Sequence, residues 1–224
     1  MRENYPNEAL IQTLLGIYQA QPETIIGFTN PALAKKARFT SLFEYLKVQK
    51  YDFVLLQELW NKNDYQEIKI ELQDLYWISP FDENCNMFNN GPNGATLIEC
   101  DGLTTLIKKE SCSQPNVILD HTFELLPKFT AEDAAQETSF SNYFEFVFQR
   151  KVLKTDVLIN GWIVRIMNTH LTPQADDAEN YDIAQNREMR EKQAQTICNA
   201  VKENPIYDLA ILGLDANDIP GNLP

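Results

Sequence analysis

Residues 53–60, which read F-V-L-L-Q-E-L-W, constrain the fold of this chain more than any other stretch. Four consecutive apolar residues predict a strand that is buried on both faces. The strand ends in Gln57 and Glu58, and a carboxylate at the end of a buried strand is costly unless it is paired, hydrogen-bonded or bound to a metal. The alternative is that Glu58 reaches solvent where the strand surfaces. Residues 168–171 (N-T-H-L) and 213–218 (G-L-D-A-N-D) also place polar groups after apolar runs, so the three stretches together favour a functional role.

Helical and strand patterns alternate along the rest of the chain. Apolar residues at helical spacing predict an N-terminal helix within residues 1–22 and further helices over 33–48, 61–75 and 186–203. Short apolar or alternating runs predict the strands. These cover residues 24–30, with Asn30 at the tip, and residues 76–78, 94–99, 103–107, 143–149, 152–158, 162–170 and 207–214. This order predicts a single α+β domain over residues 1–224, in which sheets are flanked by helices.

Turn residues predict how the strands are connected. Asn160-Gly161 is the strongest hairpin signal in the sequence, and Asp101-Gly102 predicts a second hairpin between strands 94–99 and 103–107. Segments without periodicity are predicted as irregular. They are the loop over residues 79–92, a surface insertion over 111–136 with a solvated or capping His121, and residues 172–185, which are long enough to form a rim or lid.

Net charge and hydropathy limit the classes of partner. The 224 residues carry 32 acidic and 19 basic side chains, for a net charge of −13. This balance disfavours a sequence-independent nucleic-acid binder, which needs a basic face, but it allows an enzyme that meets a phosphodiester through a bound cation. No run approaches the roughly 18 apolar residues of a membrane span, and the first residues lack a signal-peptide pattern. We therefore expect a soluble protein, with a cytoplasmic location favoured over a secreted one; the oligomeric state is left open.

The cysteines give little sign of a metal site. Their spacing contains no C-x-x-C pair, and the sequence has two histidines, so a structural zinc site is disfavoured. A disulfide among Cys85, Cys100 and Cys112 is the alternative for an exported protein. Free buried thiols in a reducing compartment, including Cys198, are the favoured interpretation.

Five polar residues supply the chemistry that the polar strand ends suggest. Asp215 and Asn217 lie two positions apart, so in an extended segment both side chains leave the same face and can hold one water or phosphate. His170, at the end of another strand, can supply a proton or a hydrogen-bond donor near neutral pH. Glu58 and Asn30 are oxygen ligands of the kind that Mg²⁺ accepts. Together they predict metal-assisted phosphoester hydrolysis, although alone His170 suggests a structural histidine and Asp215-x-Asn217 a turn.

Several short motifs occur in a consistent order between residues 24 and 221. L-Q-E at 56–58, T-H-L at 169–171 and D-A-N-D-I-P at 215–220 form a specific combination. T-N at 29–30 and, more loosely, R-K-V-L at 150–153 fit the same series. Together the motifs resemble those of the endonuclease/exonuclease/phosphatase family, and within it the neutral sphingomyelinase and DNase I-like branch.

The resemblance implies a four-layered α/β sandwich of two mixed β-sheets flanked by helices. It places Glu58 on the family's metal-binding glutamate and Asn30 on its first-strand asparagine, with Mg²⁺ or Mn²⁺ as the cofactor. It places His170 on the histidine that contacts the phosphate. Asp215 and Asn217 fall on the pair that orients the nucleophilic water and the scissile phosphate. The implied substrate is a phosphoester, with a phospholipid head group as one candidate.

The chain departs from the family pattern at its C-terminal motif, before strand 152–158, and in the first strand, where Gly27-Phe28-Thr29 precede Asn30. The family's C-terminal S-D-H motif, whose histidine serves as the general base, is absent, so the resemblance implies an incomplete domain without its last strands, or a pseudoenzyme. Arg150-Lys151 stands where the family has K-G. We expect a Mg²⁺-dependent phosphodiesterase-type hydrolase, sphingomyelinase-like, or an inactive fragment of one. The alternatives are a catalytically dead module that binds phosphate ligands, and a nuclease.

Overall fold

A computed structural model describes a large part of the chain. The described residues are 31–59, 62–82, 87–88, 97–98, 102–111, 118–129, 149–172, 183–202 and 206–217. The chain divides into two compact units, Met1–Lys50 and Tyr51–Pro224. The predicted N-terminal helix, the strand over 24–30 with Asn30, and most of the strand over 143–149 lie outside the described residues.

Helix α1, Pro31–Gln49, belongs to the first unit and confirms the helix predicted over 33–48. Proline is favoured in the first turn of a helix because its missing N–H has no partner there. Phe43 and Leu46 are buried on one face. Lys50 ends the helix in a left-handed conformation, with φ of 50°, and its amide donates to the Leu46 carbonyl at 3.0 Å. Such a residue satisfies a carbonyl of the last turn.

The second unit begins with a three-stranded antiparallel sheet, which we call sheet 1. Its order is β1 (Phe53–Leu56), β5 (Thr104–Lys108), β2 (Tyr76–Ile78). Helix α2 (Lys62–Leu72) joins β1 to β2 and confirms the helix predicted over 61–75, and its Ile68 and Leu72 are buried. The prediction that β1 is buried on both faces is wrong. All four β1 residues are only half-buried, and within the described residues β1 is an edge strand that pairs with β5 alone.

A short antiparallel ladder corrects two predictions. Strand β3 (Met87–Phe88) lies within the predicted loop 79–92, and it pairs with β4 (Leu97–Ile98). The predicted hairpin between 94–99 and 103–107 is therefore wrong. A strand has two edges, and β5 uses both of them for β1 and β2. Gly102 still adopts a positive φ, of 57°, but it contacts the turn after β1 instead of closing a hairpin.

Four longer strands form sheet 2. Its order is β6 (Ile118–Leu125), β7 (Lys151–Ile159), β8 (Trp162–His170), β9 (Leu209–Asp215), antiparallel except for the parallel pair β8–β9. The predicted hairpin turn is confirmed, since Asn160 and Gly161 have φ of 51° and 85°, as a two-residue hairpin loop requires. Helix α3 (Ile183–Lys202) connects β8 to β9 and confirms the helix predicted over 186–203.

Strand β6 corrects the prediction that residues 111–136 are irregular. It has partners only on the β7 side within the described residues, and a register shift between Ile118 and Asp120 interrupts its alternation. Leu119 and Leu125 are exposed, so apolar residues do not mark its inner face. His121 is exposed on this strand, as predicted. An irregular edge strand lacks the clean period of two that sequence patterns detect.

The two sheets pack face to face, and α3 covers the outer face of sheet 2. One core cluster joins the sheets: Ile107, Val157, Val164 and Ile166, with Phe53, Leu55, Trp77, Ile118, Ile159 and Ile211 against it. A second cluster joins sheet 2 to α3: Leu126, Val152, Met167, Leu171 and Ile197, with Val201 against it. The predicted α+β fold of two sheets flanked by helices is confirmed. None of the described helices has the length and apolar character of a membrane span.

Candidate active site at the strand ends

Three of the predicted site residues converge at the end of sheet 2. His170 is the last residue of β8 and Asp215 the last residue of β9, and the two are register partners. His170 Nε2 lies 3.8 Å from Asp215 Oδ2. Because β8 and β9 are parallel, their C-terminal ends meet at one edge of the sheet. The parallel pairing therefore brings the two polar strand ends together.

Asn217 reaches the same place through a turn. β9 ends at Asp215, and Asn217 has a φ of 49°, so the two side chains do not leave one face of an extended segment as predicted. The Asn217 amide donates to Asp215 Oδ1 at 2.9 Å, and its side-chain Nδ2 donates to the Leu171 carbonyl at 2.6 Å. This turn is the alternative that the sequence allowed. It packs Asn217 against the residue that follows His170.

The environment of His170 favours a neutral imidazole. The residue is 3% exposed. Burial, and then the positive charge of Arg150, lower the pKa of His170 from 6.5 to about 4, while Asp215 and Asn217 act in the opposite direction. Nδ1 of His170 is buried without a hydrogen-bond partner in the part of the chain that the structure describes. At neutral pH, His170 is therefore uncharged, and its ring nitrogens are one donor and one acceptor.

Two buried basic residues, Arg150 and Lys151, lie at the start of strand β7 near this cluster. Arg150 is 3% exposed and lies close enough to His170 to affect its pKa. Lys151 forms a buried ion pair with Asp82, in the segment that follows β2. The sequence marked Arg150-Lys151 as a departure from the family pattern but assigned neither residue a role. Two adjacent basic residues directly before the apolar pair Val152-Leu153 were the available signal.

Glu58 lies in a tight turn at the end of β1. Its φ is 62°, an uncommon conformation for a residue other than glycine. Leu59 donates its amide to the Gly102 carbonyl at 2.9 Å, and a Cβ on Gly102 would lie 2.3 Å from the Leu59 nitrogen. Gly102 therefore makes room for the backbone of the turn. The Glu58 side chain is exposed, so its carboxylate is not desolvated by burial, and its role as a metal ligand stays a prediction.

Asn168, the first residue of N-T-H-L, was assigned no role by the sequence, and it connects the Glu58 turn to the His170 strand. It is fully buried, and its Nδ2 donates to the carbonyls of Leu56 at 3.0 Å and Thr104 at 3.1 Å. Its Oδ1 accepts from Gln57 Nε2 at 2.7 Å. The sequence did contain a signal: Asn168 shares one face of strand β8 with the apolar Val164 and Ile166, which predicts that its amide side chain is buried. A buried amide needs partners.

A divalent cation is the cofactor that the resemblance implies. Within the described residues, no group of three or more His, Cys, Asp and Glu side chains is arranged to hold a metal, and Asn30 lies outside those residues. Mg²⁺ is usually bound by one or two carboxylates together with waters and substrate phosphates. The exposed Glu58 carboxylate at the end of β1 fits such a partial donor set.

The remaining cysteine prediction is tested at one position. Cys198 is exposed on α3 and is a free thiol. It was predicted to be buried, and it is not, because it lies on the solvent side of the helix next to the buried Ile197. Cys85, Cys100 and Cys112 lie outside the described residues.

Comparison with known proteins identifies the fold. No family model matches the sequence, and no curated protein matches it. Among solved structures, sphingomyelinase C from Streptomyces griseocarneus aligns with a TM-score of 0.54 and 16% identity, over 82% of this chain and 57% of that one. The endonuclease/exonuclease/phosphatase from Bacteroides vulgatus aligns with a TM-score of 0.53 and 18% identity, over 87% of this chain and 64% of that one. D. rerio TDP2 complexed with single strand DNA product aligns with a TM-score of 0.51 and 20% identity, over 85% of this chain and 57% of that one.

These neighbours confirm the predicted DNase I-like fold of the endonuclease/exonuclease/phosphatase proteins. The chain spans 57–64% of their length. At 16–20% identity the likeness concerns the fold, and function has to be argued from the residues of this chain.

Proposed function

We propose that this chain is a phosphoester hydrolase, or the part of one that holds its site, and that it works with Mg²⁺ or Mn²⁺. The observation that carries the proposal is the cluster of His170, Asp215 and Asn217 at adjacent strand ends, with the buried Arg150 beside it. A neutral histidine, a carboxylate and a buried cation suit an anionic substrate that is attacked by water. The fold supports the proposal, because the same architecture occurs in a sphingomyelinase C.

The charge distribution explains why the site would attract a phosphate. Arg150 is a buried positive charge, and its field is strong enough to disfavour protonation of His170. An anion placed between the two groups would interact favourably with Arg150 in this poorly solvated setting. The same anion would favour the charged form of His170, so phosphate binding should raise the pKa of the imidazole. Arg150 is thus proposed to bind the substrate's charge.

The other three residues of the cluster are proposed to act on the attacking water, the phosphate and the leaving oxygen. Asp215 directs Oδ2 toward His170 and holds Oδ1 on the Asn217 amide, so Oδ2 is suited to accept a hydrogen bond from the attacking water. Asn217 is anchored to the Leu171 carbonyl, and its side chain also interacts with His170; we propose that it helps to orient the phosphate. His170 holds or donates the proton needed at the leaving oxygen once an anion has raised its pKa.

Glu58 is proposed to supply a carboxylate to the cation; Asn30, the second ligand that the resemblance implies, lies outside the described residues. A divalent cation supplies charge neutralisation at the phosphate oxygens when it is bound. The exposed Glu58 carboxylate is accessible to a hydrated ion, which Mg²⁺ favours because it dehydrates reluctantly.

Substrate class is the finer part of the proposal. The net charge of −13 favours a phospholipid head group or a small phosphoester over a polynucleotide. One structural neighbour is a sphingomyelinase C, which agrees with this choice. Another was solved with a single strand DNA product, and this observation keeps a nuclease as the second candidate.

Hydrolysis assays with matched histidine variants test the proposal. Bis-p-nitrophenyl phosphate, sphingomyelin and a single-stranded oligonucleotide are each offered with Mg²⁺ or Mn²⁺. We expect at most slow turnover of the first two, because no residue of the cluster is assigned to accept the proton of the attacking water. His170→Ala should reduce that turnover about 10²–10⁴-fold, and His121→Ala on the exposed strand β6 should leave it unchanged. Phosphate binding without turnover would instead support the binding module, and preferred cleavage of the oligonucleotide the nuclease. Turnover that survives His170→Ala would contradict the assigned site.

A further inference from the structure

The two sheets contribute different parts of the proposed site, and one side chain joins them by hydrogen bonds. Glu58 follows β1 of sheet 1, whereas His170 and Asp215 end strands of sheet 2. Asn168 lies on β8, two residues before His170, and bonds to Leu56 and Gln57 of sheet 1's first strand and turn. Side chains two apart on a strand share a face. Asn168 therefore points into the space between the sheets on the same side as His170.

The hydrogen-bonding capacity of Asn168 is almost fully used. Its two N–H groups have two carbonyl acceptors, on Leu56 and Thr104, and its oxygen accepts from Gln57. An apolar side chain of the same size would fill the volume but would leave these three groups without their partner. Leu56 and Thr104 are also register partners at the end of the β1–β5 ladder. Asn168 thus donates hydrogen bonds to the carbonyls of the last residue pair of this ladder.

The turn that carries Glu58 needs such support because its backbone is strained. A non-glycine residue with φ of 62° persists only where the surroundings hold it. Contacts of the described residues that hold this turn include the Leu56 carbonyl on Asn168, the Gln57 side chain on Asn168, and the Leu59 amide on the Gly102 carbonyl. Two of the three involve Asn168.

We propose that Asn168 is a positioning residue that sets the Glu58 turn of sheet 1 relative to the His170–Asp215 pair of sheet 2. The bond from Gln57 is the specific link, since it fixes the residue immediately before Glu58. Close packing supports the same junction. Gly213, the register partner of Asn168 on β9, faces Leu55 of β1, and a Cβ on Gly213 would lie 2.2 Å from the Leu55 side chain. The inference that this geometry governs cation binding rests on the proposed role of Glu58.

The test uses the milder of two variants. Asn168→Ala removes three hydrogen bonds from a fully buried position and can prevent folding. Gln57→Leu keeps a side chain of similar size, leaves Asn168 on both carbonyls and breaks only the link to the turn. The matched control is Val157→Ala. Val157 belongs to the same core between the two sheets, but it lies on β7, six residues after Lys151, so its substitution lowers stability without touching the Glu58 turn. Each variant is measured for urea stability, for Mn²⁺ affinity by calorimetry, and for the Leu59 amide resonance in metal-free protein.

We expect Gln57→Leu to weaken Mn²⁺ binding about tenfold or more, the usual effect of losing a group that supports a metal ligand. It should also shift the Leu59 amide resonance, whereas Val157→Ala should change neither readout at a comparable loss of stability. Gln57→Leu with wild-type Mn²⁺ affinity and an unshifted Leu59 resonance would overturn the inference.

The proposed function and this inference fail in distinguishable ways. Glu58→Gln should abolish Mn²⁺ binding if Glu58 is a ligand. Should the wild-type chain bind no Mn²⁺, the metal role of Glu58 is wrong, and the resonance alone decides the inference. A Leu59 shift in Gln57→Leu but not in Val157→Ala then supports the positioning role, and equal spectra refute it.

Discussion

The two halves of the proposed site are held in place by different means. The His170–Asp215 half continues two regular strands, of nine and seven residues, whose register places the side chains side by side. The Glu58 half follows a four-residue strand and depends on a left-handed turn, a glycine and a buried amide. A backbone ladder tolerates most side-chain changes, whereas a turn built from a few specific contacts does not. Substitutions should therefore affect the two halves unequally.

The largest effect is expected at Gly102. An alanine there would meet backbone atoms of Leu59 and Glu58 at 2.3–2.8 Å and would occupy a φ of 57°. Left-handed strain and overpacking together cost roughly 2–5 kcal/mol. Gly102→Ala should lower the free energy of unfolding by that amount in urea titrations and should weaken Mn²⁺ binding through the displaced turn.

Gly161→Ala is the matched control for Gly102→Ala. Gly161 also has a positive φ, of 85°, but a Cβ there meets no atom within 4 Å. We expect a loss of about 1–2 kcal/mol from backbone strain alone, with Mn²⁺ affinity unchanged. Equal losses for the two variants would show that the turn after β1 is no more demanding than an ordinary hairpin loop.

The second prediction concerns pH and the other half of the site. His170 has a pKa of about 4 in the folded chain and about 6.5 when unfolded. Above pH 6.5 both states are neutral, so His170 adds no pH dependence. Between pH 6.5 and 4 only the unfolded state takes up the proton, and the free energy of unfolding should fall as the pH is lowered, by on the order of 3 kcal/mol in all. Below pH 4 the contribution is constant.

Urea titrations from pH 7 to pH 4 check this contribution by difference. His170→Gln should lose this part of the acid sensitivity, while His121→Gln, at an exposed position, should follow the wild-type curve. Parallel curves for wild type and His170→Gln would mean that burial of His170 has little energetic consequence.

The third prediction concerns the two charges that act on the pKa of His170. Each charge should change this pKa by less than burial does. Arg150→Gln should raise the pKa of His170, because it removes a nearby positive charge, and Asp215→Asn should lower it further. NMR titration of the imidazole resonances measures both changes. Shifts in the same direction for the two variants would contradict the arrangement in which Arg150 and Asp215 flank the ring with opposite effects.

The smallest effect is expected for an ion pair that belongs to neither half. Arg187 and Glu191 lie one turn apart on α3, with an Nε–Oε1 distance of 3.1 Å and both side chains exposed. Exposed pairs at this spacing contribute at most about 0.5 kcal/mol. Glu191→Gln should therefore change the free energy of unfolding by no more than this, and the value sets the baseline against which Gly102→Ala is judged.

The sequence predicted the parts of the fold that follow from local pattern. Helix α3, the Asn160-Gly161 turn and strand β8 were predicted to within a few residues, because periodicity and turn chemistry are properties of neighbouring residues. Strand β6 was missed because its alternation is interrupted, and the partner of 94–99 was wrong because both edges of β5 are taken. Pairing is a competition among all strands, and a local signal cannot report its outcome.

The same division applies to the site. The sequence by itself selected the candidate residues: Glu58, His170, Asp215 and Asn217 were identified from polar groups after apolar runs and from their resemblance to known motifs. The structure brings the last three together. Only the tertiary structure decided that His170 is neutral, since burial and Arg150 lower its pKa, and that Asn168 holds the Glu58 turn. Asn168 and Leu56 are 112 residues apart. Desolvation and hydrogen bonds over such separations exist only once the two sheets have packed.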